Sequence, residues 1–151
     1  MLKILNLTQH KSTPEQGVID LEGQQLEILR TALNFDILPT HEAIRNRAML
    51  IASLAKGYDA AMIGGAPFLM TVLEQELLKL GITPYYAFTQ RITEERVDES
   101  GAVIKTSFFK HEGFVVAISA IDKFIDENSV EEDIIVPCYP DDGIYHPIEV
   151  M

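Results

Sequence analysis

The chain has 151 residues and carries 23 acidic against 12 basic side chains, a formal net charge of −11. One domain with a self-sufficient core is the default at this length, and a single cysteine, Cys138, excludes a disulfide framework and a multi-cysteine zinc site. Apolar runs such as Ala60–Ile63 and Phe114–Ile118 are too short to span a bilayer, the N-terminus lacks signal-peptide pattern, and the acidity opposes non-specific binding to duplex nucleic acid; a soluble cytoplasmic protein is expected.

In chain order, Lys3–Thr8 reads as a short buried strand. A polar stretch follows, in which Thr13 caps a helical turn opened by Pro14 and interrupted by Gly17. Gln24–Leu33 has helical spacing. Pro39 disfavours helix at Leu38. Thr40 then caps a second helix whose apolar face is Ile44, Ala48, Ile51, Ala52 and Ala55, ended by Gly57. Asp59–Ile63 is the next strand and turns at Gly64-Gly65-Ala66 into a helix from Pro67 to about Leu80, closed by Gly81. Pro84–Phe88 is a third strand, ending at Thr89-Gln90-Arg91. Strand, helix and strand of these lengths make a βαβ unit with parallel strands. Ile92–Val97 and Ala102–Lys110 flank Asp98–Gly101 as a β-hairpin, Gly113–Ile118 is a further strand or a continuation, and Ala120–Glu127 is a weak helix.

The charge is uneven. Residues 119–151 carry nine acidic side chains and one basic, a balance of −8, whereas Met1–Ile118 carries only −3. The expected architecture is a three-layer α/β domain over 1–118 with a parallel core and an added hairpin. An acidic C-terminal extension over 119–151 packs on the same domain as a solubilising surface.

Ligands collect at the carboxyl ends of parallel strands in such sheets. Thr8-Gln9-His10-Lys11-Ser12, Gly64-Gly65-Ala66-Pro67 and Thr89-Gln90-Arg91 fall there. The glycines permit close backbone approach, and the helix start offers unpaired N–H groups to an anion such as phosphate; tight strand-to-helix packing is the equal alternative for Gly64-Gly65. His10 is placed to act as acid, base or phosphate donor, or is an exposed loop histidine. His111, beside Lys110 and after Phe108-Phe109, is a second candidate contact or a hairpin-end residue. His41 and His146 have no visible role, and Arg45 and Arg47 read as solvated. The spacing of histidines and carboxylates supports no metal site and no cofactor, and no nucleophile elbow is present.

Three pieces together carry a resemblance: Thr-Gln-His-x-x-Thr-Pro-Glu-Gln at Thr8–Gln16, the strand-Gly-Gly-helix of Ala60–Leu80, and Ile82–Val115. The last contains Tyr-Tyr-Ala-Phe-Thr-Gln-Arg, Glu94-Glu95, the Asp98–Gly101 turn, Val103, Lys105, and Phe109-Lys110-His111 with Phe114. Over residues 3–115 the chain resembles the small stand-alone ring nucleases of type III CRISPR antiviral systems, whose fold is Rossmann-like (CARF-like), or a phage or mobile-element relative of them. The resemblance implies a homodimer that binds a cyclic oligoadenylate at its two-fold axis. It also implies metal-independent cleavage, in which a ribose 2′-hydroxyl attacks the adjacent phosphate to give a 2′,3′-cyclic phosphate. It assigns His10 and Arg91 to catalysis and Gly64, Gly65, Ala66, Thr89, Lys105, Lys110 and His111 to ligand binding, to which the position after the first strand adds Thr8, Gln9 and Lys11. The loop reads Gly-Gly-Ala-Pro-Phe rather than Gly-Asp-Phe-Gly, and the acidic extension replaces a basic end. A non-catalytic sponge or sensor for a cyclic nucleotide or ADP-ribose-type signal, or an enzyme acting on a mononucleotide or sugar phosphate, stays open beside the nuclease.

Overall fold

A computed structural model describes residues 1–121; the acidic extension beyond them, with the expected helix to Glu127, Cys138 and His146, lies outside the described residues. The chain divides after Ala120, two residues past the expected boundary. The strands are β1 (Ile4–Asn6), β2 (Ile19–Asp20), β3 (Ala60–Met62), β4 (Thr83–Val97) and β5 (Val103–Val116), and the helices α1 (Gly23–Leu33), α2 (His41–Leu54) and α3 (Pro67–Lys79). They form one sheet of order β2-β1-β3-β4-β5. β1 is parallel to β2 and β3, β3 is parallel to β4, and β5 runs antiparallel to β4. The fold is the Rossmann-like α/β class expected, with a parallel core and a hairpin at one edge.

Local chemistry accounts for the helix boundaries. The Thr40 hydroxyl accepts the Ala43 amide at 3.1 Å and opens α2, as an N-cap does. Gln16 accepts the Thr13 amide at 3.0 Å and closes the short 3-10 turn at Pro14–Gln16. Gly81 follows α3 with φ 74°, a left-handed conformation that costs a glycine nothing.

Period-two alternation selects the face that meets the helices. Leu5, Leu7, Ala61, Ile63 and Ile82 join one apolar cluster with Leu29 and Leu33 of α1, Ile44, Ala48 and Ile51 of α2, and Leu69, Leu73 and Leu77 of α3. The β2–β3 and β3–β4 crossovers run in the same direction along the sheet, so right-handed connections put all three helices on that face. The β1–β2 connection runs the other way along the sheet and holds only the 3-10 turn. Ala60, Ala61 and Met62 are all buried, as befits a central strand covered on both sides.

Two features depart from the sequence expectation. β2 was not legible, since two residues carry no periodic signal; it exists because Leu5 and Asn6 hold Ile19 and Asp20 in parallel register. The third strand does not end at Phe88. It continues to Val97, across an irregularity between Phe88 and Thr89, as one ribbon paired with β5. The polar run Thr89-Gln90-Arg91 reads as a loop because apolar alternation stops there, but β5 supplies its hydrogen bonds. At the ribbon tip, Asp98 accepts from the Ser100 hydroxyl and the Ser100 and Ala102 amides at 2.6, 2.8 and 2.9 Å. These bonds hold its carboxyl below the ordinary range, with the Ser100 side chain the largest cause.

Candidate functional site

In a 2-1-3-4-5 sheet the strand order reverses between β1 and β3, and the crevice outside their carboxyl ends is where ligands bind. A cavity of about 430 Å³ opens there, lined by Thr8, Gln9, His10 and Lys11 after β1, Met62–Gly65 at the end of β3, Tyr86 and Ala87 of β4, and Gln16. Two of the three segments singled out in the sequence therefore meet. Among the described residues the lining holds a lysine, a histidine and two glycines but no carboxylate, in a chain with an excess of eleven negative charges.

The loop that carries His10 is built on a buried polar hub that sequence reasoning missed. Asn6 is 4% exposed. Its amide donates to the His10 carbonyl and to Asp20 Oδ1, each at 2.8 Å, and its Oδ1 accepts the Thr8 amide at 2.9 Å and the Thr8 hydroxyl at 2.7 Å. Asp20 also accepts the Ser12 amide at 3.3 Å. Partial burial pushes the Asp20 carboxyl up, but donation from Asn6 and Ser12 and the charge of Lys11 prevail and hold it below its ordinary value. Asn6 and Asp20 together thus tie the Leu7–Ser12 loop to β2. The available signal was a lone asparagine in an apolar strand, since a buried amide needs partners.

The glycine loop has two different positions. A Cβ on Gly64 would sit 3.5 Å from Thr8 Cγ2, an ordinary contact on the pocket side. A Cβ on Gly65 would instead meet Met70 Cε at 3.3 Å and Leu33 Cδ2 at 3.7 Å, so this glycine also serves the packing of α3 and α1. Ala66 caps α3 without a side-chain bond. It lines a neighbouring hollow of about 410 Å³ with Gln9, Phe35 and Phe68.

Tyr86 forms the far wall. Its hydroxyl donates to Glu74 Oε2 at 2.5 Å, and the Ser119 hydroxyl donates to Glu74 Oε1 at 2.6 Å. Burial foremost, then the bond to Glu74 and its charge, push the phenol well above its ordinary value. Arg47, read from the sequence as solvated, is engaged: its guanidinium lies 4.2 Å from the Phe35 ring centre and donates to the Asn34 carbonyl. Phe35 in turn meets Phe68 edge-on at 5.1 Å. Sequence spacing on α2 does not reveal this contact, because Phe35 belongs to the preceding loop.

The ribbon residues expected at the site, Thr89, Arg91, Lys105, Lys110 and His111, do not line this pocket. Arg91 stands four positions beyond Ala87, about 13 Å along the strand, where it faces Phe109 and bonds Ser107 at 3.5 Å. Thr89 faces His111. Lys105 pairs with Glu95 at 3.3 Å and Lys110 with Glu112 at 3.9 Å, and strand alternation puts these lysines on opposite faces of the ribbon. His111 packs 4.9 Å from the Phe114 ring centre and leaves its Nδ1 buried without a partner among the described residues. Among those residues no group of three His, Cys, Asp or Glu side chains converges as a metal site, and no helix is long and apolar enough to cross a membrane.

The described residues form a Rossmann-like α/β domain whose strand-end pocket is lined, among those residues, by no carboxylate. A family model, the Uncharacterized protein MJ1673 family, matches residues 2–115; the chain belongs to that family, and the match stops before the acidic extension. No curated protein and no solved structure matches the chain.

Proposed function

We propose that the chain binds a nucleotide second messenger, a cyclic oligoadenylate, and cleaves it without a metal as a ring nuclease. The observation that carries this reading is the pocket at the β1–β3 crevice, where His10, Lys11 and the Gly64-Gly65 backbone face one cavity with, among the described residues, no carboxylate to repel phosphate. In the cleavage step His10 takes the proton of a ribose 2′-hydroxyl, and the 2′-oxygen attacks the adjacent phosphorus. The bond from phosphorus to the 5′-oxygen breaks, that oxygen takes a proton from solvent, and a 2′,3′-cyclic phosphate is left. Lys11 and the loop amides stabilise the phosphate oxygens. Arg91 lies outside the pocket of its own chain; in this reading a homodimer brings the ribbon of one copy, with Arg91 and Lys105, to a ligand shared by two.

Single-turnover incubation with labelled cyclic tetra- and hexa-adenylate tests the reading. Linear product is expected, slowed by about 10²–10⁴ in His10→Ala, the usual cost of losing a general base, with affinity only modestly weakened. A second reading, sequestration without cleavage, is favoured by one observation: among the described lining residues Tyr86 already donates its hydroxyl to Glu74 and is not free to protonate a leaving oxygen. Tight binding with intact ligand recovered supports that reading, and absence of binding refutes both.

A further inference from the structure

A second cavity of about 250 Å³ adjoins the first, separated from it by the Gln9-His10-Lys11 ridge that lines both. Its chemistry is different. Leu21, just after β2, and Leu26 of α1 supply apolar surface, and Asp20, Glu22, Lys11 and Arg30 supply charge. Among the described lining residues two carboxylates are balanced by two cations, so the hollow has no net positive charge to draw phosphate, and Glu22 offers an acceptor to a group that donates hydrogen bonds. Asp20 is already engaged by Asn6 and Ser12. Glu22 is exposed, and among the described residues its carboxylate has no hydrogen bond and no ion pair. Arg30 pairs with Glu27 at 3.5 Å on the surface of α1, and its planar guanidinium suits stacking on a base.

We infer that this hollow between β2 and α1 is a nucleobase subsite: an adenine lies against Leu21 and Leu26, and its exocyclic amine donates to Glu22. The sugar crosses the Gln9-His10-Lys11 ridge, and the phosphate falls in the glycine-loop pocket. The volume suits one base rather than a dinucleotide, and an apolar floor with a few convergent polar groups is the usual make-up of such sites. The carboxylate selects. It accepts from the 6-amino group of adenine and repels the 6-oxo group of hypoxanthine, and a site built to hydrogen-bond one group rejects the analogue that lacks it.

The inference rests on the proposed phosphate pocket, and calorimetric titration separates the two. The probes are inorganic phosphate, 5′-AMP and 5′-IMP, each against the parent and Glu22→Gln. The parent is expected to bind 5′-AMP about tenfold tighter than 5′-IMP, the equivalent of one hydrogen bond. In Glu22→Gln the preference should fall to about threefold or less, with phosphate affinity unchanged, since Glu22 does not line the first pocket. Methyl resonances of Leu26 should shift with 5′-AMP, through the ring current of the base, and stay put with phosphate. Equal affinity for the two nucleotides in the parent, a preference that survives in Glu22→Gln, or unmoved Leu26 methyls would overturn the base subsite while phosphate binding kept the first pocket. Failure of every probe to bind would overturn both.

Discussion

Asn6→Ala probes the hub on which the His10 loop is built. It removes two donated and two accepted hydrogen bonds, all between 2.7 and 2.9 Å, from a side chain that is 4% exposed. A neutral bond contributes about 0.5–1.5 kcal/mol net, and one to a charged group about 1.5–3. Water reaches the part-exposed loop and relieves some of the loss, so the expected cost is about 3 kcal/mol, which lowers the melting temperature by roughly 6–12 °C in a chain of this size. Asp20 also loses a donor, and its carboxyl should return toward the ordinary 3.8. A depressed carboxyl contributes stability that is present above its unfolded value and lost as pH falls through the lower folded one. The variant should therefore show a weaker stability loss on the acid side. Urea unfolding at several pH values, with carboxyl resonances titrated by NMR, measures both. A cost below about 1 kcal/mol together with an unmoved Asp20 titration would refute the hub.

Two further outcomes follow from the same geometry. Gly64→Asp should keep the fold, since its Cβ makes an ordinary contact, but should weaken phosphate binding more than about tenfold by placing a carboxylate on the pocket side. Gly65→Asp should lower stability by about 2 kcal/mol or more, because its side chain starts toward Met70 and Leu33; urea melts beside phosphate titrations separate the two, and equal behaviour would count against the assigned directions. Glu74→Gln should lower the ionisation pH of Tyr86 in ultraviolet titration. Because the folded phenol is raised above its ordinary 10.0, its contribution to stability is present below that pH and is lost as pH rises above it; the onset, set by the unfolded phenol, is the same in the variant, and the decline should be smaller.

The sequence by itself determined whatever depends on residues close along the chain. The α2 cap at Thr40, the turn at Pro14–Gln16, the apolar face of α2, the βαβ unit and the Asp98 turn all rest on spacing and local hydrogen bonding, and each stands where it was expected. The same local reading brought Thr8–Lys11 and Gly64-Gly65 to one crevice, because strand polarity alone places their loops at the same end of the sheet. What only the tertiary structure decided involves partners distant in sequence. The two-residue β2 exists through pairing with β1. Thr89–Arg91 is strand rather than loop because β5 runs beside it, and that carries Arg91 away from the pocket of its own chain. Asn6 becomes a hub only when β2 delivers Asp20, and the Phe35 ring reaches Arg47 only when α1 and α2 pack. Period and propensity describe the face a residue presents, whereas the identity of the group waiting at that face is settled by long-range packing.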